Sequence, residues 1–191
     1  MGIKISLTAL FAALTAAGAF IAIPIGPVPI VLQNFFALLA GLVLGPFLGS
    51  AAVGLYLFAG ILSLPVFAGG SGGLARFAGP TGGFLVGYLL AAFTAGLIAG
   101  KPCVYNKTPL PRIILAVTIG LLILYVPGVF WLKISRNLSW AKALIAGFVP
   151  FIIGDIFKGI AAVLIAPRLR RTAANFLHDG SQRNTVGRLS G

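Results

Sequence analysis

Polar side chains drop out of this chain for one long stretch after another, and the interruptions are short and rich in proline, glycine and basic residues. Six apolar segments result. They run from about Ile5 to Ile23, Ile30 to Leu44, just after Gly45-Pro46 to Leu62, Thr81 to Ala99, Ile113 to Trp131, and Ala143 to Ala166. A helix needs about 20 such residues to cross roughly 30 Å of hydrocarbon. The pattern therefore predicts an all-α integral membrane protein with six transmembrane helices and a glycine-rich outer loop between helices 3 and 4. Pro24, Pro27 and Pro29 end the first span. Only Gly45-Pro46 separates the second from the third, and both pieces are short for a crossing, so tilt or a thin bilayer must accommodate them. No soluble domain stands out. Residues 1–171 read as one helical membrane domain, and residues 172–191 as a flexible cytoplasmic tail with one amphipathic turn around Phe176 and Leu177.

Composition agrees. Of 191 residues, 59% are hydrophobic and only 8% charged, too few charges to cover a soluble domain of this size. A net charge of +12 would suggest nucleic acid in a soluble chain. Here the basic residues lie in short connections, as topology signals and anionic-lipid contacts do, so membrane lipids are expected partners and nucleic acid is not. With both ends inside, the inner face holds Lys4, Lys101, Lys107, Arg112, Arg168, Arg170 and Arg171, and the outer face only Arg76, Lys133, Arg136 and Lys142. That excess places both termini in the cytoplasm. Trp131 and Trp140 fit an interfacial belt around the loop between spans five and six. The first apolar run lacks a strongly charged leader region and reads as a retained helix. Cys103 and His178 are each the sole residue of their kind. No internal disulfide and no Cys- or His-based metal site is expected, and no cofactor.

Two spans carry stripes of small residues. Ala9, Ala13 and Ala17 recur every four residues in the first, and Gly83, Gly87, Ala91, Ala95 and Ala99 in the fourth. Small side chains let another helix approach closely. For the fourth span packing within the bundle is the plainer reading. For the first, docking of a partner membrane protein is the sharper alternative.

Asp155 is the most informative residue. It is one of two acids and sits in Phe151-Ile152-Ile153-Gly154-Asp155-Ile156-Phe157-Lys158. A charge at the centre of a membrane helix costs about 2.5–3.5 kcal/mol on insertion scales. Lys158, three residues on, shares its face and offsets part of that cost. The pair either only neutralises itself and orients its helix, or binds a polar ligand. The second reading is preferred, because intramembrane ionisable residues mark functional sites. The acid offers acceptors and the ammonium three donors, which suits a ligand carrying N–H groups and an oxygen acceptor or carboxylate.

The stretch from Leu64 to Gly83 is the second candidate region. Its glycines allow close backbone approach, but no Gly-Lys-Ser or Gly-Lys-Thr follows, so it is not a nucleotide-phosphate loop. It reads as a flexible outer loop or as a lid over a pocket, with Arg76 either an interfacial anchor or close to an anionic group. Gln33, Asn34 and Tyr56 each either satisfy a neighbouring helix or face a ligand.

Taken in order, Gly26-Pro27-Val28-Pro29-Ile30, Gln33, the run from Leu38 to Pro46, Leu55-Tyr56-Leu57, Leu64 to Gly73, Gly79-Pro80-Thr81-Gly82-Gly83 and Asp155-x-x-Lys158 resemble the BioY family, the biotin-specific S components of energy-coupling factor transporters. The resemblance covers about residues 5 to 166. It implies a prokaryotic plasma-membrane protein of six helices that binds biotin near the outer face and is not an enzyme. It further implies that Asp155 and Lys158 contact the vitamin and that the outer loop closes over it. The Ala9 and Ala13 stripe is implied to dock a transmembrane T component driven by two cytosolic ATPases. The candidate biotin-binding set is then Asp155, Lys158, Phe67, Gly70, Arg76, Tyr56 and Gln33. Phe67, Val66 or Phe35 could pack on the ring system, while Lys158 could meet either the ureido carbonyl or the carboxylate. The alternative is a self-sufficient, oligomeric biotin transporter without a coupling module. A membrane enzyme fits poorly, because a single membrane acid, no intramembrane His and a loop cysteine supply no catalytic set.

Overall fold

The computed structural model describes residues 2–24 and 27–189, with side chains through His178. The first helix, α1 (Gly2–Phe20), leads into a two-stranded antiparallel pair, Ala22–Ile23 against Ile30–Val31. Next come α2 (Gln33–Leu44), α3 (Pro46–Ile61), the one-turn α4 (Ala75–Ala78), α5 (Gly82–Ala99) and α6 (Leu110–Ser135). A short α7 (Trp140–Gly147), a 3₁₀ turn (Val149–Phe151) and α8 (Ile152–Leu189) complete the chain.

Four segments are long and apolar enough to cross a membrane: Gly2–Phe20, Gly82–Ala99, Leu110–Ser135 and Trp140–His178. The helices α2 and α3 are shorter, at 12 and 16 residues, or about 18 and 24 Å at 1.5 Å per residue. They meet where the Gly45-Pro46 signal lies. Gly45 has φ +82°, a conformation that a side chain resists, and Pro46 opens the next helix. Every residue of α2 except Phe36 is buried, as expected of a helix that is apolar all round. It is packed by α1, α3, α5, α6 and α8.

The two small-residue stripes have opposite fates. In α5, a Cβ on Gly83 would lie 2.2 Å from the Pro127 carbonyl oxygen, and one on Gly87 2.5 Å from that of Leu124. That stripe is consumed by close packing on α6. In α1, Ala9, Ala13 and Ala17 are exposed, beside Ile5 and Leu10. Exposed apolar side chains such as Phe47, Ile153 and Phe157, about 70% accessible, clothe the outside of the bundle.

Two expectations need correction. The sixth segment is not one helix: α7 ends at Gly147 and α8 begins at Ile152. Pro150 lies between them, lacking an N–H and clashing with the preceding turn. The helix also continues past Arg171, so Thr172–His178, expected to be a flexible tail, are helical. Ala173 and Ala174 are buried there, which gives that turn a packed face. The side chains from Asp179 onward lie outside the described residues.

Candidate functional site

The break at Pro150 places Asp155 in the first turn of α8, where free backbone N–H groups favour a carboxylate. The same helix turns Ile153, Ile156 and Phe157 outward while Asp155 is 5% exposed. Its Oδ1 accepts from Lys158 Nζ and from Asn34 Nδ2, both at 2.9 Å, and its Oδ2 accepts from the Tyr125 hydroxyl. Lys158 Nζ also donates to Asn34 Oδ1 at 2.9 Å and to the Val31 carbonyl at 2.8 Å. Asn34 therefore shows its oxygen to the cation and its nitrogen to the anion, closing a triangle. All three ammonium donors are used. The carboxylate keeps spare acceptor capacity at Oδ2, beside the Tyr125 oxygen.

A second polar pair lies at the same end of the bundle. Gln33 Nε2 donates to the Tyr56 hydroxyl at 2.7 Å, and both residues are fully buried. Tyr88, also buried, lies in the same core cluster as Tyr56, with Tyr125 packed against it, and within reach of the Asp155 charge. Aromatic rings surround these groups. Tyr125 meets Phe148 edge-on at 4.7 Å and Phe84 at 6.2 Å, while Phe67 lies at 5.5 Å from Tyr56 and 6.1 Å from Phe77.

Phe67 comes from the loop between α3 and α4. That loop closes on itself through paired Phe67 and Ser71 backbone bonds, with Gly69, Gly70 and Gly73 at positive φ. A Cβ on Gly70 would lie 3.9 Å from the Phe20 ring at the end of α1. The indole of Trp131 on α6 donates to the Gly79 carbonyl at 2.9 Å and ties down the turn that follows α4.

The structure thus gathers Asp155, Lys158, Gln33, Tyr56 and Phe67 at one end, with Gly70 in the loop above α1. Arg76 is not among them: it is exposed on α4 and makes no side-chain hydrogen bond among the described residues. Phe35 packs edge-on against Phe36 in a separate core cluster with Leu38 and Leu39, away from the aromatic wall. Asn34, left open between a helix and a ligand, is the linchpin of the triangle. Tyr88 and Tyr125 were missed by sequence reasoning. Their signal was rarity: the chain has four tyrosines, and three of them converge here. Among the described residues no group of three His, Cys, Asp or Glu could hold a metal ion.

The sequence profile of the BioY family matches residues 2–175. The chain belongs to the BioY family. It is 48% identical over 167 residues to a Pyrococcus horikoshii protein named "Probable biotin transporter BioY", covering 87% of this chain and 96% of that one. It is 43% identical to the Thermotoga maritima "Biotin transporter BioY", covering 85% and 92%. Among solved structures, the S-component for biotin from an ECF-type ABC transporter superposes with TM-score 0.76 at 34% identity, covering 88% of this chain and 90% of that one. FolT bound with folic acid superposes at 0.58 with 21% identity, a likeness of fold alone. This BioY chain is a multi-pass membrane protein of the transporter class and not an enzyme.

Proposed function

We propose that this chain captures biotin with high affinity and serves its uptake as the S component of an energy-coupling factor transporter. The observation that carries the reading is the buried Asp155–Lys158–Asn34 triangle with its aromatic wall, in a chain whose relatives are named biotin transporters. Biotin presents ureido N–H donors, a ureido carbonyl, an apolar ring and a carboxylate. Asp155 Oδ2 accepts from a ureido N–H beside Tyr125. Lys158 donates to the carbonyl or to the carboxylate, exchanging one of its internal bonds to do so. Phe67 and Tyr56 flank the ring system, Gln33 fixes Tyr56, and Gly70 belongs to the loop that covers the site. Arg76 joins only if α4 moves.

The six segments each cross the membrane with both termini in the cytoplasm, as the excess of inner Lys and Arg favours. The exposed Ala9 and Ala13 stripe supports docking of a transmembrane T component, itself driven by two cytosolic ATPases.

A vitamin panel tests the ligand. Biotin is expected to raise the thermal stability of the purified protein, while thiamine, riboflavin and folate do not, since a ligand of the native state alone stabilises it. No shift with biotin would remove the proposal. Uptake with and without the coupling proteins separates an S component from a self-sufficient transporter. Ala13→Leu is expected to leave biotin binding intact and to abolish coupled uptake only.

A further inference from the structure

The opposite end of the bundle holds a second concentration of charge. A cavity of about 180 Å³ opens there between the connection preceding α6 and the middle of α8, and Lys107, Thr108, Asn106, Arg170 and Arg171 line it. Arg170 is 4% exposed and donates to Thr108 Oγ1 at 3.0 Å and to the carbonyls of Leu42, Ala99, Gly100 and Lys101. All five acceptors are neutral. Asp155–Lys158 is the only ion pair among the described residues, so no described carboxylate balances Arg170.

Lys107, Arg171 and Asn106 are exposed and make no side-chain hydrogen bond among the described residues. At the start of the 26-residue α6, Pro111 has no N–H and the N–H groups of Arg112 and Ile113 donate to the Pro109 carbonyl, so of that first turn only the Leu110 N–H is left as a donor. Leu110, Ile113 and Pro167 give the same cavity an apolar side. Unbalanced cations, spare donors and an apolar flank occur together where spanning helices end, the depth of lipid headgroups.

We propose that this cavity binds a phosphate-bearing anion, either a phospholipid headgroup or free inorganic phosphate. Lys107 and Arg171 neutralise it at the mouth, and Arg170 supplies a fixed positive background behind them. A singly charged phosphate group is small enough for the space and takes several donors at once. The inference is independent of what the chain transports.

Cys103 lines the cavity and is the chain's sole cysteine, so it reports on this place without engineering. The full-length protein in a neutral detergent is alkylated with N-ethylmaleimide while phosphatidylglycerol, phosphatidylcholine or inorganic phosphate is titrated in. Phosphatidylglycerol is expected to slow alkylation at least fivefold and saturably, and phosphatidylcholine not to. Slowing by phosphatidylglycerol alone assigns a lipid, and slowing by inorganic phosphate as well assigns the phosphate group itself. Lys107→Gln with Arg171→Gln, both at exposed positions, is expected to abolish the protection. Arg136→Gln with Lys142→Gln, at the other end of the bundle, is expected to keep it. The proposal is overturned if neither anion protects, if protection survives the first pair, or if the second pair removes it equally.

Discussion

Two cations ride on α8 twelve residues apart, Arg170 buried and Lys158 partly so, and they are accommodated in opposite ways. Lys158 meets a carboxylate, an amide and one carbonyl. Among the described residues Arg170 meets no carboxylate, only carbonyls at the ends of α2 and α5 and one hydroxyl. A guanidinium against helix C-termini gains from the negative end of each helix dipole and caps carbonyls that have no partner within their helix. That arrangement fastens three helices together. The Lys158–Asp155 pair fastens α8 to α2 through Asn34 and to α6 through Tyr125, but it also leaves an anion with unused acceptor capacity. Burial of a charge alone therefore does not mark a ligand site. What distinguishes the two cations is whether their partners leave acceptor capacity unused, as Asp155 Oδ2 does and the acceptors of Arg170 do not.

The strongest way to break this contrast is Asp155→Asn. It removes the anion from beside a buried ammonium, a change that costs about 3–5 kcal/mol in buried pairs. Biotin affinity is expected to fall by at least about 100-fold in titration calorimetry. Unchanged affinity would make this acid a fastener like Arg170. Next in size is Arg170→Met, which strips the last carbonyls of α2 and α5 of their donor. Thermal or denaturant unfolding is expected to show a loss of about 2–4 kcal/mol, with biotin affinity held within about twofold. A large affinity loss in a protein that is still folded would erase the difference between the ends.

Tyr125→Phe sharpens the comparison more gently. It removes one hydrogen bond to the carboxylate, worth about 1–1.5 kcal/mol, or roughly a five- to tenfold change in affinity. The smallest effect concerns the Arg170 end. The Cys103 thiol is held below its ordinary range by the backbone N–H groups of Asn106 and Tyr105, which favour the thiolate. Since a lowered pKa means more thiolate at lower pH, the alkylation profile of the anion-free protein is expected to rise at lower pH than that of an unstructured cysteine peptide. Coincident profiles would show that these N–H groups do not hold the sulfur.

Much of this is legible in the sequence. The apolar segments, the helix break at Gly45-Pro46 and the face shared by Asp155 and Lys158 are local properties, readable from hydropathy, backbone restriction and helical spacing. The partners of those residues are not local. Asn34 reaches Asp155 across 121 positions, and Arg170 reaches Leu42 across 128. Spacing in the chain carries no trace of such pairings, so Arg170 reads as one more topology signal and Tyr125 does not stand out at all. Pro150 shows a different failing: the breaker stood in plain sight, and the surrounding hydropathy outweighed it. Sequence favours internal packing for the Gly83–Ala99 stripe and leaves partner docking open for the Ala9–Ala17 stripe, and only the bundle shows that the first is covered and the second exposed.

With all three Lys158 donors already used, the proposed biotin contact bears on discrimination among vitamins. A molecule arriving at that ammonium must trade places with an oxygen already there, so the count of bonds barely changes and correct matching yields modest net gain. A mismatch is costly, because a displaced internal acceptor or an unanswered ammonium proton is then stranded away from water. If Lys158 meets the vitamin as proposed, such a site would reject impostors more than it rewards the right guest.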